Sequence, residues 1–97
     1  MNDMLIVQPK TTLILSNMFY GQEMFDDGQN YVAYRCNNTP HDDGCIYILT
    51  HYDSARPVDS VGSHFKVHED NFVIIAENAD HDDVIEHGIE DVADYDD

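Results

Sequence analysis

Carboxylates are the reactive groups that this sequence has in quantity, and they are unevenly spread. Twelve of its 20 acids fall between Glu69 and Asp97, a stretch without lysine or arginine; the last basic side chain is Lys66. Residues 1–68 hold the other eight acids against four bases, so most of the formal charge of −16 lies in the final third. Close-set carboxylates can hold a metal ion, move a proton, or present negative charge to a basic partner.

Metal chemistry is the first reading to test. His41-Asp42-Asp43 and His81-Asp82-Asp83 repeat one triplet, and His64, His68 and His87 lie nearby. Histidine with carboxylate is a metal donor set. His87 with Asp91, four apart, or His64 with His68 on one strand face would be the pairs to share an ion. No calcium loop fits, because Asp80–Asp91 lacks the glycine at its sixth position and the alternating oxygen ligands. Solvated histidines in an acidic protein account for the pattern, so no metal and no cofactor is assigned.

Proton transfer and nucleophilic catalysis have less behind them. There is no Gly-x-Ser-x-Gly, phosphate loop or dinucleotide fingerprint. Ser54, Ser60 and Ser63 near His51 and His64 are the ordinary content of a connector. Four bases supply no cationic clamp for an anionic substrate, and no pair of acids is singled out. The chain is expected not to be an enzyme. Nor is it expected to bind nucleic acid directly, because the release of counterions that drives such binding needs lysine and arginine.

The third chemistry fits the spacing. Val84, Ile85, Gly88, Ile89, Val92 and Ala93 recur at helical intervals, which predicts an amphipathic helix over about Asp82 to Tyr95. Asp82, Asp83, Glu86, His87, Glu90, Asp91, Asp94 and Asp97 take its other face, and Asp80 or Asn78 caps it. Folding alone does not ask for this: the like-charge pairs Glu86–Glu90 and Glu90–Asp94 cost ~0.2–0.5 kcal/mol each. As a helix, residues 82–97 would span ~24 Å and carry about one charge per 3 Å. One DNA strand presents a phosphate every ~3.4 Å. Such a row fits a groove of lysine and arginine built for a nucleic-acid backbone.

The elements that would position these acids follow from the rest of the chain. Ninety-seven residues make one acidic domain, 1–97, and an apolar content of 42% is too high for a disordered tail. Leu5–Val7 and Thr11–Ser16 are strand-like runs broken by Pro9. Asn17–Phe25 is either a short helix capped by Asn17 or a strand entering a hairpin turn at Asp27-Gly28, and the hairpin is preferred. Asn30–Cys36 reads as a strand and Asn37–Gly44 as a loop. Cys45–Tyr52 is the clearest strand, with Ile46 and Ile48 on one face and Tyr47 and Leu49 on the other. Asp53–Ser63 is a connector, His64–Glu69 alternates, Asp70-Asn71 turns, and the apolar run Phe72–Glu77 is read as a central strand.

The predicted architecture is α+β: an antiparallel sheet of four to six strands with the C-terminal amphipathic acidic helix packed on it. Gly88, in that helix, costs ~1 kcal/mol relative to alanine. Cys36 and Cys45 can pair across the loop that they flank, although two small apolar side chains are the preferred reading. No stretch has the length and apolarity of a membrane-crossing helix. Asp3 stands where a signal peptide has positive charge, so a cytoplasmic location in a host cell is expected.

By its acids, the chain resembles the small acidic DNA-mimic proteins encoded by phages and mobile elements. The likeness is compositional: one small domain, a large negative excess, a row of acids and further acidic pairs in loops. That family has no shared fold. The resemblance implies a protein that occupies the DNA-binding groove of a host defence enzyme and blocks it. Its targets include CRISPR surveillance complexes, restriction–modification enzymes, uracil-DNA glycosylase and nucleoid proteins. An anti-CRISPR protein is favoured, because RNA-guided effectors hold nucleic acid in a long basic channel. The mimic surface would comprise Asp80, Asp82, Asp83, Glu86, Glu90, Asp91 and Asp94, with Asp26-Asp27, Asp42-Asp43 and Glu69-Asp70. Alternatives are an antirestriction protein, an inhibitor of another DNA-binding enzyme, an acidic adaptor or antitoxin-like partner, and a divalent-metal-binding domain.

Overall fold

Met4–Pro9 (β1) is the strand around which the sheet is built. The computed structural model describes residues 4–18, 21–35, 44–55 and 64–95. β1 is apolar on both faces and is hydrogen-bonded on both edges. On one side it pairs with β4 (Tyr31–Arg35), Met4 opposite Tyr34 and Val7 opposite Tyr31. On the other it pairs with β7 (Phe72–Ala76), Val7 opposite Ile74 and Pro9 opposite Phe72. β5 (Cys45–Leu49) lies beyond β4, and β6 (His64–His68) forms the far edge. The five-stranded sheet is antiparallel throughout, in the order β6-β5-β4-β1-β7. Pro9 sits at the last position of β1, where a missing N–H is tolerated.

The sheet is strongly coiled. β6 and β7 are its opposite edges, yet only the 3-10 turn Glu69–Asn71 joins them. Five flat strands would set the outer two ~19 Å apart, whereas the link from His68 to Phe72 reaches ~14 Å at most. Curling brings the end of β6 to the start of β7.

Both faces of the sheet are covered. Leu5, Val7, Ala33, Ile46, Ile48, Phe65 and Phe72 pack beneath a hairpin of β2 (Leu13–Asn17) and β3 (Gly21–Phe25), which contributes Phe25, Leu13 and Leu15. Phe25 meets Tyr31 and Phe65 edge-on, with centroids at 5.0 and 5.8 Å. On the opposite face Met4, Ile6, Val32 and Leu49 pack under Tyr52, Ala79, Val84 and Ile89. Ile46 and Ile48 thus face the hairpin, while Leu49 faces the C-terminal layer, as their alternation predicts.

Three expectations are corrected. The hairpin comes earlier than predicted: β3 pairs back onto β2, Leu13 opposite Phe25 and Asn17 opposite Gly21. The Asp27-Gly28 turn instead carries the chain from the hairpin layer into the sheet. Phe72–Ala76 is an edge strand, not a central one, and leaves Val73 48% and Ile75 39% exposed. The middle strand is β4, and the most completely buried one is its neighbour β1, in which Met4 to Val7 are all buried.

The third correction concerns the C-terminal helix. It does not run from Asp82 to Tyr95; α1 is His81–Glu86 only. Gly88, at φ +80°, takes the left-handed conformation that ends helices. The Ile89 N–H donates to the Val84 carbonyl at 3.2 Å and the Gly88 N–H to Ile85 at 3.0 Å, the paired bonds of a glycine-terminated helix. Ile89 then packs in the cluster that holds Val84, closing the turn with an apolar contact. The chain continues irregularly and finishes in a 3-10 turn, Val92–Tyr95. Cys36, and so any bond from it to Cys45, lies outside the described residues.

Candidate functional site

Asp91 is the buried anchor of the acidic layer. It is 3% exposed, the only charged residue buried among those described. The sequence pattern put it on the solvent face of a helix; because α1 stops at Glu86, that face does not exist here. Residue 91 instead bridges Tyr52, and the Val92 N–H donates to the Tyr52 carbonyl at 2.8 Å. Asp91 Oδ1 accepts the amides of Ser54 and Ala93, both at 3.0 Å. One carboxylate therefore caps the last 3-10 turn and ties it to the segment after β5. Burial pushes its carboxyl up, but the Ser54 hydroxyl and amide, the Ala93 amide and His81 outweigh this and hold it below the ordinary aspartate range.

Above Asp91 lie Tyr52 and His81. The Tyr52 hydroxyl is 3.0 Å from His81 Nδ1, and the two rings stack with centroids 5.9 Å apart. Asp91 Oδ2 is 3.9 Å from the same nitrogen. Burial raises the Tyr52 phenol above its ordinary value, and the charges of Asp91, Asp53 and Asp80 add to this. The group orients His81 at the first position of α1, leaving its side chain half exposed.

The predicted surface acids divide by role. Asp80 and Asp83 are caps: Asp80 Oδ1 accepts the Asp83 amide and Asp83 Oδ2 the Asp80 amide, each at 3.0 Å. Ala79, just before the cap, packs with Val84 and fixes the entry of the helix. Asp80→Ala is expected to lower stability by ~1 kcal/mol, the usual loss for such a cap, and thermal melting will measure it. Glu69 is engaged by Arg35, whose guanidinium reaches Glu69 at 2.6 Å and Glu77 at 2.5 Å. The Glu77 bond, with help from Glu69, raises that guanidinium's proton affinity against the opposing effect of burial.

Asp82, Glu86 and Glu90 remain exposed, and none of the caps and ion pairs described above engages them. Asp70 is exposed and lies 3.4 Å from His68, which also accepts the Asp70 amide. Asp26 and Asp27 begin the turn from the hairpin into β4, and the same turn meets the end of α1 through Asn30, whose Nδ2 donates to the His87 carbonyl at 3.2 Å. Asp42, Asp43 and the side chain of Asp94 lie outside the described residues.

The candidate metal pairs separate too. His87 Nδ1 donates to the Asp83 carbonyl at 2.7 Å rather than meeting Asp91. His68 caps the Glu69–Asn71 turn. Among the described residues, no group of three or more His, Cys, Asp or Glu is placed to hold an ion, and no helix is long and apolar enough to cross a membrane. Tyr52 and Arg35 were missed by sequence reasoning. Their signal was present: Tyr52 closes the apolar run Cys45–Tyr52, and Arg35 is one of only four bases among 20 acids. Comparison with family models, curated proteins and solved structures finds no match.

Proposed function

We propose that this protein is a DNA-mimic inhibitor: its acidic layer occupies the basic nucleic-acid-binding groove of a host protein and excludes the nucleic acid. The observation that carries this reading is the separation of charge in the chain, −16 overall with no lysine or arginine after Lys66. Asp82, Glu86 and Glu90 are exposed on a layer whose other acids hold that layer together. The charges form a patch around a short helix instead of a ~24 Å rod, which suits a basic groove lined from several sides. An RNA-guided surveillance complex is the favoured target, because its channel is long and basic and meets its DNA largely through the backbone.

The test is displacement of labelled duplex DNA from three candidate targets: a CRISPR surveillance complex, a restriction endonuclease and a basic nucleoid protein. The surveillance complex should be inhibited most strongly. Affinity should fall steeply from 50 to 300 mM salt, because charge pairs at a rim are screened over ~8–10 Å. Tight binding that is indifferent to salt and does not displace DNA would identify an apolar adaptor interface instead.

A further inference from the structure

The open edge of β7 offers a second contact, of a different chemical kind. Among the described residues β7 has a ladder partner on one side only, β1. The register gives the direction of its free groups. The Lys10 N–H donates to the Asn71 carbonyl at 2.9 Å, and the pairing stays in step from there through Pro9–Phe72 and Gln8–Val73 to Val7–Ile74. Antiparallel bonds fall on alternate pairs, so Phe72 and Ile74 turn their backbone groups away from β1. The Phe72 N–H goes to the Glu69 carbonyl. The Phe72 carbonyl and both backbone groups of Ile74 are left along the outer edge.

Sheet edges are commonly protected by lysine, proline or a bulge. β6, the opposite edge, carries Lys66 between His64 and His68. β7 reads Phe-Val-Ile-Ile-Ala, with no charge and no proline, and exposes Val73 and Ile75. Its register shift lies only at the far end, between the Ile6 and Val7 pairs.

Charge selects the occupant. Glu69 and Asp70 precede β7, and Glu77 and Asp80 follow it. A second copy pairing antiparallel would set each acidic end against the other, between molecules of charge −16. A basic strand meets the opposite situation. We infer that β7 is a strand-addition site for an extended segment of the target protein that alternates lysine or arginine with β-branched residues. Its backbone would pair with Phe72 and Ile74, its apolar side chains would cover Val73 and Ile75, and its cations, on the alternate face, would lie toward Asp70 at the acidic start of the strand. This rests on the reading of the protein as a partner of basic surfaces.

The probe is the peptide acetyl-Lys-Val-Arg-Val-Lys-Val-Arg-amide, with a control N-methylated at alternate residues so that its charge is kept and one bonding edge is lost. Both are titrated into the isotope-labelled full chain at low salt. The expected result is chemical-shift change at Phe72–Ala76, slower hydrogen exchange at Ile74, and binding about tenfold weaker for the methylated control, equivalent to ~1.4 kcal/mol. Val73→Lys should weaken the unmethylated peptide similarly without lowering the melting temperature. Equal binding of the two peptides, with shifts confined to Asp82, Glu86 and Glu90, sinks the strand-addition site while leaving the acidic-surface reading intact. Concentration-dependent dimerisation through the same amides, without peptide, overturns it in favour of a second copy. No binding of either peptide defeats both readings.

Discussion

Replacing Asp91 with alanine should lower stability by ~3 kcal/mol, because each buried donor left without its acceptor costs ~1–3 kcal/mol. Two amides, those of Ser54 and Ala93, lose their acceptor in a site that is 3% exposed. For a domain of this size, ~3 kcal/mol corresponds to a fall in melting temperature of ~12–24 °C. Asp91→Asn keeps one acceptor oxygen and should cost less. The pH dependence has a definite sign. The folded carboxyl is held below its ordinary value, so its contribution is fully present above the unfolded pKa of ~3.9. It is lost as pH falls through the lower folded value. The wild type should therefore lose stability faster than Asp91→Ala below about pH 4. Melting curves at neutral and acid pH test both statements; an Asp91→Ala melting temperature within a few degrees of wild type would falsify the anchoring role.

Asp91 also shows what the sequence made legible and what it did not. Alternation in Cys45–Leu49 correctly separates Ile46 and Ile48 from Leu49, because a strand's period of two holds whatever its neighbours are. An antiparallel sheet of four to six strands follows from the same signal, whereas the separate two-stranded layer of β2 and β3 does not. Periodicity in the last third carries a condition: Val84, Ile85, Ile89 and Val92 share a stripe only if the helix continues. Gly88 decides that, and a glycine at helical spacing can be an interior residue or a stop. The stop wins because Ile89 can fold back onto Val84, burying apolar surface that a straight helix would have to cover otherwise. Once the helix ends, Asp91 leaves the polar face and enters the core. The same ambiguity affects Phe72–Ala76, since an apolar run signals burial but does not say which strand sits centrally. Asp80, by contrast, was readable as a cap, since capping depends on a few adjacent residues.

Neutralising Asp82, Glu86 and Glu90 together should reduce DNA displacement about 100-fold, taking ~1 kcal/mol for each charge pair made with the target's groove. These three are exposed, whereas Asp80, Asp83 and Asp91 hold the layer in shape and would confound the result if changed. The variant combines Asp82→Asn, Glu86→Gln and Glu90→Gln, and its stability should hold or rise as self-repulsion is relieved. Charge-matched doubles separate a patterned surface from bulk charge. Glu86→Gln with Glu90→Gln removes two charges from the α1 layer; Glu23→Gln with Asp27→Asn removes two from the hairpin and the turn that follows it. The first double should lower affinity by about tenfold or more, and the second by no more than the change in overall charge produces. Equal losses would mean that net charge alone does the binding. A larger loss from the hairpin double would move the mimic surface to the hairpin and the turn after it, where Glu23, Asp26 and Asp27 would then carry the contact.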